Sequence, residues 1–165
     1  MIFKNRNSFR LLPFLCVIVC INLSCNRSFS PATSAQHVED AKAALYETLE
    51  DIHKEGFIGE AKHLYNSPAF YWIPPRQSTP ISYDSVVTIL RKATPLYKEV
   101  KSTWQSLTVY PLTKKMVTYT GKYQSVYTVL SGKQSTFLMH ETGVMIREKG
   151  KWLLLNGHTS LVETK

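Results

Sequence analysis

The stretch from Met116 to Ser160 constrains the fold more than any other part of the chain. Its polar and apolar residues alternate along three long segments, which are separated by Ser131-Gly132 and by Glu148-Lys149-Gly150. Alternation with a period of two is typical of strands that bury one face, and short connections with Gly are typical of hairpins. The sequence therefore predicts a meander of long antiparallel strands in this part of the chain.

In the first half of the chain, apolar residues recur mainly at helical spacing instead. From His37 to Glu55, apolar residues recur at every third or fourth position, and Gly56 ends the pattern. A short helix is expected over residues 59–65, a strand over 69–73 and a further helix over 84–92. Helices followed by a series of strands predict an α+β fold.

Three short segments carry a resemblance to a known superfamily. Residues 151–160, which read KWLLLNGHTS, resemble the last hairpin of the nuclear transport factor 2-like superfamily, in particular its SnoaL-like branch, and residues 70–75 and 82–84 are similar to it as well. The resemblance implies a cone, in which a strongly curved antiparallel sheet wraps around N-terminal helices and encloses a pocket. It does not select a reaction, because the superfamily includes isomerases, dehydratases, cyclases and non-catalytic binding modules.

The N-terminal residues 1–24 have the pattern of a bacterial lipoprotein signal. Three basic residues precede an apolar run at residues 11–23, and Ser24-Cys25 follows the run, as at the acylated cysteine of lipoproteins. The run is shorter than the roughly 20 residues that cross a bilayer as a helix. A signal that is cleaved without acylation and an uncleaved anchor are the alternatives.

The same pattern predicts how the chain is organised. We expect lipidation at Cys25, a flexible tether over residues 25–35 that is rich in Ser, Pro, Ala and Thr, and one domain over residues 36–164. Such a protein would be held by its lipid at a membrane of the bacterial cell envelope, on the exported side. After processing, Cys25 would be the only thiol, which excludes an internal disulfide.

The lipidation has a direct test. In cells fed a fatty-acid analogue, the wild-type protein should take up the label at Cys25, whereas Cys25→Ser should take up none. Equal labelling of the two proteins, or a mature N-terminus at another residue, would contradict lipidation at this site.

Charge and composition argue against several other functions. The net charge is +8, but the basic residues are scattered, with only Arg91-Lys92 and Lys114-Lys115 adjacent. Nucleic-acid binding would require a clustered basic patch. We expect no cofactor, because no Gly-rich phosphate loop is present, and no metal, because His140 and His158 lack a third candidate ligand.

Hairpin geometry predicts which side chains face the pocket. A two-residue turn at Ser131-Gly132 would pair Tyr123 with His140, and a three-residue loop at residues 148–150 would pair His140 with His158. Glu141 would then point away from the pocket, which argues against the carboxylate base of ketosteroid isomerases. The inner face would carry Val117, Tyr119, Tyr123, Tyr127, Leu138, Val144, Ile146, Trp152 and Leu154.

The resulting row of Tyr123, His140 and His158 supports a ligand pocket, although buried histidines that merely stabilise the sheet are the alternative. We expect a small apolar or aromatic molecule to bind among Tyr71, Tyr119, Tyr123, Tyr127, His140, Trp152 and His158.

Two other functions remain open. The protein could be a lyase or isomerase that resembles scytalone dehydratase, in which Tyr123, with Tyr71 or Tyr119, polarises a carbonyl while His140 or His158 moves a proton. It could instead be a protein-interaction module or a homodimer, which an apolar outer patch at Phe137, Met139 and Met145 would favour.

Overall fold

The structure is a computed structural model that describes residues 31–162, and it confirms the α+β fold. Two α-helices, a 3₁₀ helix and one five-stranded sheet make up this part of the chain. The elements are α1 (Pro31–Glu55), the 3₁₀ helix (Phe57–His63), β1 (Tyr71–Ile73), α2 (Tyr83–Ala93), β2 (Tyr97–Thr113), β3 (Met116–Val129), β4 (Gln134–Glu148) and β5 (Lys151–Leu161), with a 3₁₀ turn (Thr94–Leu96) before β2.

Helix α1 begins at Pro31, within the segment that was expected to be a tether. Proline suits the first turn of a helix because its missing N–H would have no helical partner there. The signal, Cys25 and the first part of the tether lie outside the described residues. Among the helices of residues 31–162, none has the length and hydropathy required to cross a membrane.

The sheet has the order β1-β5-β4-β3-β2, and all neighbours are antiparallel except the parallel pair β1 and β5. Register shifts interrupt the β2–β3 ladder near Trp104 and Pro111 and the β4–β5 ladder near Val144. Such bulges bend the strands. The curved sheet packs its concave face on α1, where Ala41, Leu45, Trp104, Val117, Tyr119 and Leu154 are buried together.

The pairing of β3 with β4 differs by one residue from the predicted pairing. Val129 N–H donates to Lys133 O at 3.0 Å, so the connection has three residues, and Gly132 adopts a φ of 86° at its end. Tyr123 therefore pairs with Met139 rather than with His140. A shift of one residue moves every side chain of a strand to the other face.

Strand β4 accordingly presents the opposite face from the predicted one. Its inward residues are Met139, Glu141, Gly143 and Met145, whereas Leu138, His140, Val144 and Ile146, which were expected inside, alternate with them on the outer face.

The second hairpin also differs from the prediction. Lys149 and Gly150 form a two-residue turn with φ values of 48° and 85°, and Glu148 pairs with Lys151. The bulge near Val144 then pairs Glu141 with Thr159 and Thr142 with His158. Trp152 and Leu154 are buried as predicted, but His158 lies on the outer face.

Candidate ligand cavity and its acidic pair

A cavity of about 290 Å³ lies between the concave face of the sheet and the helices. Its size is at the lower end of the range for small-molecule sites, which are mostly apolar with a few polar groups that fix orientation. The wall has six aromatic side chains, from Phe57, Trp72, Tyr97, Trp104, Tyr123 and Tyr127. The polar side chains of the lining are those of Thr48, Glu60, Ser102, Ser125, Glu141 and Thr159.

Glu141 is a half-buried carboxyl in the middle of the sheet. Tyr119 Oη donates to Glu141 Oε1 at 2.6 Å, and Thr159 Oγ1 donates to Glu141 Oε2 at 3.2 Å. Burial raises the pKa of Glu141, and the hydroxyl groups of Tyr119, Tyr123 and Thr159 oppose this shift because they favour the ionised form. Both oxygens therefore have donors that support a carboxylate.

The local sequence explains how Tyr119 reaches Glu141. Tyr119 pairs with Gly143 across the β3–β4 ladder, and a Cβ at Gly143 would lie 2.7 Å from Tyr119 Cε1. Any side chain larger than hydrogen at position 143 would displace the ring. Glycine thus leaves the space that the Tyr119 ring occupies on the inner face of β4.

Glu60 supplies a second carboxyl from the 3₁₀ helix. This helix lies close against the end of α1, because a Cβ at Gly59 would be 2.3 Å from Asp51 O. Glu60 is half-buried, with part of its surface toward the cavity. Burial, with a smaller contribution from the charge of Glu141, raises the pKa of Glu60 to about 8.

The two carboxyls form a coupled acidic pair at the cavity, which we call the Glu60–Glu141 pair. Near neutral pH, Glu60 holds a proton, whereas the hydrogen bonds at Glu141 favour its ionised form. One group of the pair can then donate a proton and the other can accept one. Titratable groups with shifted pKa values that share a cavity are a feature of acid–base sites.

The tyrosines of the cavity act as hydrogen-bond donors rather than as bases. Burial raises the pKa of Tyr119 and of Tyr123 well above the ordinary value, and it raises the pKa of Tyr127 to about 12. The nearby charge of Glu141 adds to the shift for Tyr119 and Tyr123. Their hydroxyls therefore remain protonated at physiological pH.

The aromatic wall is packed edge to face. The ring centroids of Trp104 and Tyr123 are 5.1 Å apart, and Phe57 packs on Tyr127 at 5.2 Å and on Tyr97 at 5.3 Å. Each pair is T-shaped, which is a favourable geometry for aromatic rings. These mutual contacts stabilise the positions of the rings around the cavity.

The predicted row of Tyr123, His140 and His158 is wrong. Tyr123 lines the cavity, but His140 and His158 are exposed on the outer face, where His140 Nε2 lies 3.1 Å from Thr120 Oγ1. Tyr123 is separated from the two histidines for two reasons. The turn at Gly132 has three residues rather than two, which moves His140 to the outer face, and the second hairpin with its bulge places His158 on the same outer face.

Of the remaining predicted pocket residues, some lie at the cavity and others lie away from it. Tyr127 lines the cavity, and Tyr119 is buried behind Glu141. Trp152 is buried in the core and packs on His37, with ring centroids 5.9 Å apart, while Tyr71 is exposed.

The outer face of the sheet lacks the apolar patch of Phe137, Met139 and Met145 that would have favoured a dimer. Met139 and Met145 are buried on the inner face, and the Phe137 ring packs on Tyr127 at 5.1 Å. The support that this patch would have provided for a dimer is therefore absent, and homodimer formation stays a prediction.

The sequence interpretation missed both members of the Glu60–Glu141 pair. A two-residue turn at Gly132 predicts Glu141 on the outer face of the sheet, whereas the three-residue turn that is present places Glu141 on the inner face. Glu60 has no distinguishing signal in the sequence, because its approach to Glu141 arises from the packing of the 3₁₀ helix on α1.

Among residues 31–162, no cluster of three or more metal-ligating side chains occurs.

The architecture and the cavity define the chain as a cone-shaped α+β protein with an internal pocket. No family model matches the chain, and no curated protein matches it in sequence. Solved structures do match the chain, and they have the cone-shaped α+β fold that the sequence resemblance implied.

Three of these structures illustrate the likeness. A protein provisionally assigned as a scytalone dehydratase from Novosphingobium aromaticivorans has a TM-score of 0.73 and 5% identity, covering 82% of this chain and 91% of its own. A type 2 hexachlorocyclohexane dehydrochlorinase has a TM-score of 0.66 and 11% identity, covering 81% and 90%. A provisionally assigned dehydratase of the nuclear transport factor 2-like family from Streptomyces avermitilis has a TM-score of 0.63 and 16% identity, covering 79% and 99%. At such identities the likeness establishes the fold alone.

Proposed function

We propose that the protein binds a small, largely apolar molecule in the cavity between the sheet and the helices. The observation that carries this proposal is the combination of an aromatic wall with the Glu60–Glu141 pair in one cavity. The wall offers apolar surface, and the pair offers a hydrogen-bond donor at Glu60 and an acceptor at Glu141. A ligand with an apolar body and one polar end would match both features.

A bulky side chain at the cavity wall tests the proposal. Ala93 lines the cavity from α2, so the indole of Ala93→Trp should occupy part of the space. We expect the wild type to bind the uncharged probe N-phenyl-1-naphthylamine, and the variant to bind it at least tenfold more weakly. Fluorescence titration of the probe measures both affinities.

The matched control is Thr88→Trp, which adds the same side chain at an exposed position of the same helix. Its affinity for the probe should equal that of the wild type. Equal affinity in Ala93→Trp, or an equal loss in both variants, would mean that the probe does not occupy this cavity.

A second candidate function is proton transfer by a cofactor-independent lyase or isomerase. The presence of two carboxyls with shifted pKa values in one cavity favours it, with Glu141 as the base and Glu60 as the acid. This assignment replaces the tyrosine and histidine mechanism expected from the sequence. The dehydratase and dehydrochlorinase among the matching structures support lyase chemistry as a hypothesis only through their common fold. Exchange of a substrate C–H for solvent deuterium measures this activity directly.

The cellular location is also a proposal. We propose that the protein is anchored to a bacterial membrane through lipid on Cys25 and that the cavity lies on the exported side. The basic residues, the apolar run and Ser24-Cys25 support this location. A role as an interaction module or homodimer remains a further alternative, and sedimentation of the purified protein would measure its oligomeric state.

A further inference from the structure

We infer that the cavity accepts a small organic cation, with an ammonium group beside the Glu60–Glu141 pair and its apolar body against the aromatic wall. This inference rests on the proposed function and adds the charge of the ligand. It is carried by two independent features of the lining, namely the sign of its charged groups and the nature of its rings.

The charged groups of the lining are all acidic. Among residues 31–162, the cavity is lined by Glu60 and Glu141 but by no Lys, Arg or His, although the chain as a whole has a net charge of +8. Buried charges are normally paired, so an acidic pair without a basic partner in the lining is suited to a cation from outside.

Basic side chains of α1, β2 and the 3₁₀ helix lie outside the cavity lining. His53, Lys54 and Lys101 line a neighbouring groove between α1 and β2. Lys62, two residues after Glu60, is exposed and forms ion pairs with Asp51 and Glu55. The protein therefore does not neutralise the Glu60–Glu141 pair with a basic residue in the cavity lining.

The rings of the wall strengthen the same conclusion. Trp, Tyr and Phe attract cations through the negative potential of their faces, and cages of aromatic residues bind quaternary ammonium groups. Trp72, Trp104 and Tyr123 belong to the same lining as both carboxyls. An anionic ligand would be repelled by an ionised carboxyl of the Glu60–Glu141 pair, whereas a cationic ligand would be attracted to it.

Binding of a cation should change the protonation of the pair. The titratable groups that interact with the two carboxyls are each other and the hydroxyls of Tyr119, Tyr123 and Tyr127. A cation beside Glu60 favours its ionised form, so a proton should leave as the ligand binds. Affinity for the cation should consequently rise as the pH rises toward 8.

Two probes of equal shape test the inference. The cation phenyltrimethylammonium and the neutral tert-butylbenzene differ only in a charged nitrogen in place of a carbon, and neither has a group that titrates near pH 8. We expect the cation to displace N-phenyl-1-naphthylamine at a concentration at least tenfold lower than the neutral probe does at pH 8. Calorimetry in two buffers with different heats of ionisation should detect proton release with the cation alone.

Variants assign the preference to the carboxyls. Glu60→Gln with Glu141→Gln keeps the size of both side chains and removes their charge, so the two probes should then bind with similar affinity. The comparison of the two probes in the wild-type protein requires no variant. It therefore measures the preference for a cation even if the double variant folds poorly.

The outcomes separate this inference from the proposed function. If the neutral probe binds as tightly as the cation in the wild type, and both lose affinity in Ala93→Trp, the cation inference is overturned while the cavity remains a binding site. If neither probe displaces N-phenyl-1-naphthylamine, the inference is also overturned. The effect of Ala93→Trp on N-phenyl-1-naphthylamine itself then decides the proposed function.

Discussion

Replacing Glu60 with Gln is expected to remove most of the loss of stability that the wild type undergoes between about pH 5 and pH 8. Burial raises the pKa of Glu60 from an ordinary value of 4.5 to about 8. Within this window the folded protein keeps a proton that the unfolded chain has released. The free energy of unfolding therefore falls as the pH rises, by up to about 1.4 kcal/mol per pH unit. The total at pH 8 is on the order of 3 to 5 kcal/mol.

Urea unfolding at several pH values between 5 and 8 measures this effect. Glu141 also has a raised pKa, so its contribution has the same sign and leaves a residual slope in Glu60→Gln. The lowered pKa of Asp51 acts below 3.8 and does not enter the window. Glu47→Gln, at an exposed position of α1, is the control and should unfold with the pH dependence of the wild type. An unchanged slope in Glu60→Gln would show that Glu60 is ionised in the folded protein.

Replacing Glu141 with Gln is expected to reduce proton transfer by at least 100-fold if the protein is a lyase or isomerase. General acid–base catalysis by one group contributes roughly 10²–10⁴-fold, and an amide cannot accept the proton. The test reaction is exchange of the α-hydrogens of 2-tetralone, an apolar aromatic ketone, for solvent deuterium, followed by NMR. The rate should decrease above about pH 8, because Glu60 then loses the proton that it supplies.

The control for this experiment is His140→Ala. His140 is one of three catalytic candidates that the sequence predicts, with His158 and Tyr123. It is exposed on the outer face of the sheet, so its replacement should leave the exchange rate unchanged. A large loss in His140→Ala with normal rates in Glu141→Gln would restore a histidine mechanism. Absence of any acceleration by the wild type over solvent would contradict the proton-transfer candidate and leave binding as the function.

The class of fold could be read from the sequence because two local periodicities are strong. Apolar residues at helical spacing predicted α1, and alternation predicted the long strands and their antiparallel order. Alternation also placed Tyr119, Tyr123 and Trp152 correctly on the inner face, since each lies in a segment whose opposite face is mostly polar or small.

Alternation could not choose a face for β4, because both of its faces are apolar. Leu138, Val144 and Ile146 lie on one face, and Phe137, Met139 and Met145 lie on the other. The choice then depended on whether the turn before β4 has two residues or three, and a glycine at position 132 is compatible with both lengths. An error of one residue there exchanged His140 for Glu141 inside the cavity.

The local sequence pattern was thus sufficient to predict the helices and strands and their order, because helical and strand periodicities are properties of neighbouring residues. The composition of the cavity required the folded chain. Its Glu60–Glu141 pair joins a 3₁₀ helix to a strand that follows it by some 80 residues in sequence, and the close packing at Gly59 and the register at Gly132 bring the two carboxyls to one cavity. Contacts between segments so distant in sequence depend on tertiary packing, which no local periodicity encodes.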